Sequence, residues 1–215
     1  MAARKRRRAD GLATRERIIA SATAMFAATG YEGTSLRKIA ASASIDIATL
    51  KYHYGDKASL FAEVYSQGHA GFVTELTPIL AAFAGVTSQD ELRPVLRLFS
   101  STMHDFVAQN LAFIRLTLFR IIEDNAEVVD VEDDLQVAAI GILSEAFAEL
   151  ERRGVVRDVD ARALAAFLIS SFLTWHVLAR TKQDWVGPPH IDTDDGRARS
   201  EDFFVATLER ILGLG

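Results

Sequence analysis

A chain of 215 residues, 49% hydrophobic and 25% charged, is long enough to bury a core and too apolar to stay disordered. The absence of cysteine excludes disulfides and thiolate metal sites, and the basic start MAARKRRR lacks the apolar stretch of a signal peptide. The net charge of −5 conceals a split, with 11 Lys+Arg against 5 Asp+Glu in residues 1–60 and 13 against 24 in residues 61–215, so the head suits a polyanion and the body does not.

Residues 1–13 read as a basic arm, with Arg4–Arg8 able to follow phosphates or enter a minor groove. Thr14 reads as the N-cap of a first helix to about Ala28, with Ile18, Ile19, Ala22, Met25 and Phe26 inward and Gly30 as its stop. Thr34 or Ser35 then caps a short second helix, Asp46 a third and Asp56 a fourth. Leu36, Ile39 and Ala40, then Leu50 and Tyr54, recur at helical spacing. Two helices this short have too little core to stand alone. Braced by neighbours, they form a helix-turn-helix whose second member projects toward the DNA major groove.

The fourth helix runs from Lys57 toward Phe72 or Leu76, and Thr77-Pro78 suggests a kink or restart before Gly85. Ser88-Gln89-Asp90-Glu91 fits a capping box ahead of a helix over about 92–109. The next, from Leu111 to about Asp124, is apolar nearly all round and is expected to be central. The acidic stretch 123–134 reads as a solvated loop and helix N-terminus, in preference to a divalent-metal site. Helices follow over about 135–153 and, capped by Asp158 or Asp160, to about Arg180. The apolar segment 161–179 is interrupted by Arg162, Ser170-Ser171 and His176, so it reads as a buried helix and no membrane partner is expected. A Gly- and Pro-rich loop over 184–199 precedes a last helix starting at Ser200. With no β-alternation, the fold class is all-α.

The run YEGTSLRKIAASASIDIATLKYHYGDKASLF resembles the DNA-binding domain of TetR-type transcriptional regulators. The likeness covers about residues 14–62. It rests on Gly30-Tyr31, Thr34, Arg37, Ile39-Ala40, Thr49-Leu50, Tyr52-His53-Tyr54, Lys57 and Leu60. It implies a helix-turn-helix domain over 14–60 and a helical ligand-binding and dimerisation domain over 61–215. It also implies a homodimer on a palindromic double-stranded DNA operator, released by a small-molecule effector that shifts the fourth helix. Repression is the implied sign of regulation. Activation, or a ligand-binding dimer with weakened DNA binding, is the alternative.

By the same likeness, Ile47, Ala48, Lys51 and Tyr52 form the exposed side of the recognition helix. Thr49, Tyr52, His53 and Lys57 match phosphate-contacting positions, and Arg37 a base- or backbone-contacting one. Three positions depart from the family pattern. Ser44 stands at a turn position that is usually Gly, Ile47 where a polar residue is common, and Lys51 where a tyrosine is usual. Candidate effector-lining residues are Met103, Phe106, Phe113, Phe119, Phe172, Trp175 and His176, with His104 and Arg115 as further polar contacts. The helices over 135–153 and 160–180 are the expected dimer bundle. No phosphate loop, HExxH or nucleophile motif is present, so neither enzymatic chemistry nor a cofactor is expected, and the location expected is the cytoplasm.

Overall fold

The computed structural model describes residues 2–122, 129–181 and 193–214. The side chains of 1–9, 121–137 and 179–181 lie outside that description. Residues 123–128 of the acidic stretch and 182–192, which include 184–192 of the expected loop, are outside it altogether. Among the described residues there are nine helices and no strand. They are α1 (Ala2–Thr29), α2 (Leu36–Ser42), α3 (Ile47–Tyr54), α4 (Lys57–Gly85), α5 (Gln89–Gln109), α6 (Leu111–Ile122), α7 (Val129–Arg152), α8 (Ala161–Thr181) and α9 (Asp194–Ile211). They fall into two compact units, one of residues 1–68 with 112–133, the other of residues 69–111 with 134–215. The division falls after Gly68, further along α4 than the boundary expected at residue 60, and nearly all of α6 groups with the first unit.

In the first unit, Ile18, Ala22 and Phe26 of α1 and Leu60, Phe61, Val64 and Tyr65 of α4 are buried, as are Tyr31, Ile39 and Leu50. Phe26 and Tyr31 both set their rings edge-on to Phe61, at 4.9 and 5.3 Å. The Phe113 ring of α6 packs on Tyr65 at 5.6 Å and presses against Gly68, where an added Cβ would lie 2.1 Å from a ring carbon. Only the missing side chain allows that approach.

Two expectations fail here. Thr14 is not a cap, because α1 begins at Ala2 and the Thr14 hydroxyl donates back to the Asp10 carbonyl inside the helix. The basic arm is therefore drawn into α1. Second, α4 neither stops near Leu76 nor restarts at Pro78. The carbonyl at i−4 from Pro78 belongs to Thr74, and the nearby Val73 carbonyl is taken by the Thr77 hydroxyl at 2.7 Å. Pro78 has no N–H to give the Thr74 carbonyl, so the helix passes through it one backbone bond short.

The second unit buries Leu76, Ile79 and Phe83 of α4 against Leu92, Leu96 and Phe99 of α5, Leu143 and Phe147 of α7, Leu164, Leu168 and Phe172 of α8, and Phe204 and Leu208 of α9. Phe172 and Phe204 stack at 4.2 Å near its middle. The capping box is present. The Ser88 hydroxyl accepts from the Glu91 amide, while the Glu91 carboxylate reaches back to the Thr87 amide, one residue earlier than in the usual motif. Asp160 caps α8.

The last helix is a correction. Thr193, not the region of Ser200, supplies the cap, accepting from the Gly196 amide, and Asp194-Asp195 fill an acidic first turn. Ser200 is instead a fully buried mid-helix residue. By length and composition alone, residues 161–178 of α8, with a mean hydropathy of 1.4, are apolar enough to cross a membrane. In this fold Leu164, Ala165, Leu168, Phe172 and His176 bury one side of it in the helical core.

Candidate nucleic-acid interface

The geometry of α2 and α3 follows from side chains fixed close to home. Ser35 caps α2, accepting from the Lys38 amide. Thr34 instead turns inward, donating to the Gly30 carbonyl at 2.8 Å. Between the helices Ser44 takes φ +55°, the left-handed region that the sequence left to a serine where glycine is usual. Asp46 caps α3 twice, its Oδ1 accepting from the Thr49 amide at 2.6 Å and its Oδ2 from the Thr49 hydroxyl at 3.1 Å. Those bonds hold its carboxyl below the ordinary carboxylate range. Asp56 does the same for α4 through the Ser59 amide.

α3 is thereby presented with a defined rotation. Leu50 and Tyr54 face inward, and the Tyr54 hydroxyl reaches the Arg15 carbonyl of α1 at 3.5 Å. Ile39 and Ala40 are buried, and Ile45 is half-buried at the turn. Ile47 is 37% exposed and Tyr52 86% exposed, while Ala48 and Lys51 also face solvent. His53 is half-buried, edge-on to the Tyr52 ring at 5.3 Å. Arg37 is exposed on α2.

Two expected phosphate-facing residues carry local duties. The Thr49 hydroxyl is engaged by Asp46. The Lys57 ammonium sits 4.0 Å from the centre of the Tyr31 ring and donates to the Tyr31 carbonyl at 3.1 Å. Lys57 therefore fastens the loop after α1 to the start of α4. Sequence reading assigned it to phosphate only, because the 26-residue separation from Tyr31 hides the contact.

The candidate effector residues are divided between the two units. Phe113 and Phe119 belong to the first unit, and Arg115 is exposed. Met103, Phe106, Phe172, Trp175 and His176 belong to the second, and all but the half-buried Trp175 are buried there. Phe172 and His176 gather around a polar centre that sequence reading missed. The His104 Nδ1 lies 2.8 Å from the Ser100 carbonyl, which can only accept, so Nδ1 carries the proton. The neutral ring then offers Nε2 to the Ser200 hydroxyl at 3.0 Å, while the Trp175 indole N–H donates to the same Ser200 oxygen at 3.0 Å. The His176 ring stands 4.5 Å from that of His104. Burial pushes His104 below the ordinary imidazole range, which keeps the ring neutral. Ser200 links α5, α8 and α9. The cue to its role was the Thr193-Asp194-Asp195 cap, masked in the sequence by the Gly and Pro residues before it.

An apolar groove of about 390 Å³ lies on the outer side of α8 and α9, lined by Phe167, Leu168, Trp175, Phe203 and Phe204 among others. Among the described residues no cluster of three or more His, Cys, Asp or Glu could hold a metal ion.

Comparison with known proteins bears on these surfaces directly. Residues 18–64 match the family model for bacterial regulatory proteins of the tetR family. YttP of Bacillus subtilis (strain 168), described as an HTH-type transcriptional regulator, is 30% identical over 81 residues, which span 38% of this chain and 39% of that protein. In fold, the chain is similar to a Clostridium perfringens protein described as a fatty acid metabolism regulator. That likeness has a TM-score of 0.72 and 19% identity, and covers 92% of this chain and 97% of the other. It is similar also to AibR, solved with isovaleryl coenzyme A and operator DNA, with a TM-score of 0.65 and 19% identity, covering 90% and 97%. Residues 18–64 of the first unit therefore match a tetR-family domain, and the likeness of the whole chain to these solved structures is one of fold.

Proposed function

We propose that this protein is a ligand-responsive transcriptional repressor that binds a palindromic DNA operator as a homodimer. The observation that carries the reading is α3, capped, braced on its inner side and showing Ile47, Ala48, Lys51 and Tyr52 to solvent within a domain that matches the tetR family. A helix held this way fits a major groove, and two copies related by a two-fold axis would address half-sites about 34–36 Å apart. The roles proposed are base contact for Ile47, Ala48 and Lys51, and phosphate contact for Arg37, Tyr52 and His53. Lys57 has N–H groups to spare for phosphate while keeping its bond to Tyr31, whereas the Thr49 hydroxyl would have to leave Asp46 to donate to one.

A homodimer is supported by the apolar groove on α8 and α9, where Phe167 and Phe203 are 52% and 54% exposed. That surface replaces the helix pair 135–153 and 160–180 as the favoured bundle. For the effector, the aromatic core around Phe172, Trp175 and His176, together with Met103 and Phe106, suits an apolar acyl group. The complex of AibR with isovaleryl coenzyme A supports acyl thioesters as the class to screen first. α4 runs unbroken through residues of both units, a route by which an effector could act on the DNA-binding end. A DNA-binding regulator acts in the cytoplasm of a bacterial cell.

The test is footprinting on promoter fragments from the source genome, with light scattering of the free protein. A protected palindrome, released by an acyl thioester, and a dimer at micromolar concentration are the expected results. Failure to protect any palindrome would sink the repressor reading, and a monomer would sink the two-half-site geometry.

A further inference from the structure

The recognition helix has an unusual outer face for a reader of polar base edges. Of its eight residues, Leu50 and Tyr54 are buried, Thr49 gives its hydroxyl to Asp46, and His53 is half-buried beside Tyr52 and Tyr54. Ile47, Ala48, Lys51 and Tyr52 remain, which at about 100° per residue fill one continuous arc of roughly 140°. Two of these four side chains have no polar atom. The carboxylate nearest them, Asp46, has both oxygens occupied by the Thr49 amide and hydroxyl. The start of the helix therefore offers a base pair no side-chain donor, and its one carboxylate is already engaged in the cap.

From this we infer that Ile47 and Ala48 read thymine C5-methyl groups, so that the half-site carries a thymine step beside the base that Lys51 contacts. The inference rests on the DNA-binding reading above and adds the chemistry of the site that is read. The methyl of thymine is the one apolar group that a base pair shows in the major groove. Packing the exposed part of Ile47 on it removes apolar surface from water on both partners. Packing the same side chain on a cytosine amino group or a guanine carbonyl would strip a polar edge of water and return no hydrogen bond. Discrimination thus comes from both sides, a gain on thymine and a penalty elsewhere. Lys51, on the same arc, supplies the one cation there that can meet guanine O6 and N7.

The experiment begins by selecting bound duplexes from a random pool with the full chain. In the enriched half-site each thymine is then replaced in turn by deoxyuridine, which removes only the methyl. Affinities are measured for the wild type, for Ile47→Ala and for Ile47→Val, each checked for an unchanged helical spectrum and melting temperature. At one thymine the swap should weaken wild-type binding about fourfold, the worth of one buried methyl-sized group. For Ile47→Ala the same swap should change nothing, with Ile47→Val in between, since each removes part of the packing surface. If no swap weakens wild-type binding, or if the loss is as large in Ile47→Ala, methyl reading by Ile47 is wrong, although sequence-selective DNA binding would stand. If the pool yields no enriched site, the DNA-binding reading falls and takes this inference with it.

Discussion

The two compact units of this protein satisfy their polar groups over very different distances. In the first, the bonds that cap and turn α2, α3 and the start of α4 span three to four residues, through Ser35, Thr34, Asp46 and Asp56. The longer ones there reach 26 residues from Lys57 to Tyr31 and 39 from Tyr54 to Arg15. In the second, Arg93 reaches the Leu214 carbonyl 121 residues away, His104 meets Ser200 at a separation of 96, and Arg197 meets Asp105 at 92. The first unit is a locally specified module, suited to presenting one helix in one orientation. The second holds its shape through contacts that exist only once the whole unit is assembled. A perturbation there disturbs several elements together, which is the property a ligand-controlled domain needs.

The contrast can be broken most severely at Ser200. Ser200→Ala leaves the buried His104 Nε2 and the Trp175 indole N–H without their partner, and an unmade buried bond costs about 1–3 kcal/mol per group. We expect a loss of about 3 kcal/mol in urea denaturation, with α5, α8 and α9 losing hydrogen-exchange protection together. A loss confined to α9 would contradict the picture of a shared centre. Gly68→Ala tests the other unit. The added Cβ must displace the Phe113 ring, and overpacking of this kind costs about 1–3 kcal/mol. The variant should unfold at lower urea concentration, and replacing Phe113 with leucine in the same chain should recover part of the loss.

A smaller effect of opposite sign is expected at Ser44. Its φ of +55° strains any residue with a Cβ, so Ser44→Gly should stabilise the protein by roughly 0.5–1 kcal/mol, read as a raised melting temperature. The smallest effect is a pH dependence. His104 is held neutral by burial, so its folded-state pKa lies below the unfolded value of about 6.5. Between those two values the unfolded chain binds the extra proton. Stability is therefore complete above about pH 6.5 and declines as the pH falls toward the folded value. Asp46, Asp56 and Glu91 also have depressed values, but as carboxylates they act in a more acidic window. Melting temperatures at pH 7.5 and 5.5 should differ less in His104→Gln than in the wild type.

The same contrast in range explains what could be read from the sequence. Ser35, Asp46, Asp56 and Ser88 announce their caps because the groups they satisfy lie within the next four residues. The inward set Ile39, Leu50 and Tyr54 follows from helical periodicity for the same reason. Ser200, by contrast, looks like any helix-starting serine until α5 and α8 are packed against it. Lys57 was legible as a cation near the recognition helix, but not as the partner of Tyr31. Thr14 misled because a good capping residue is also tolerated inside a helix, where its hydroxyl bonds the carbonyl four residues back. Pro78 misled in the other direction, since α4 continues through it despite the missing N–H.

The central claim is that the outer face of α3 meets DNA, and Tyr52 tests it most directly. Its ring is 86% exposed and packs only edge-on to His53 among the ring contacts described, so Tyr52→Ala should leave the melting temperature unchanged. On a selected operator duplex at fixed salt, loss of a hydroxyl bonded to phosphate should weaken binding about tenfold or more. Unchanged affinity in a normally folded Tyr52→Ala protein would contradict the account.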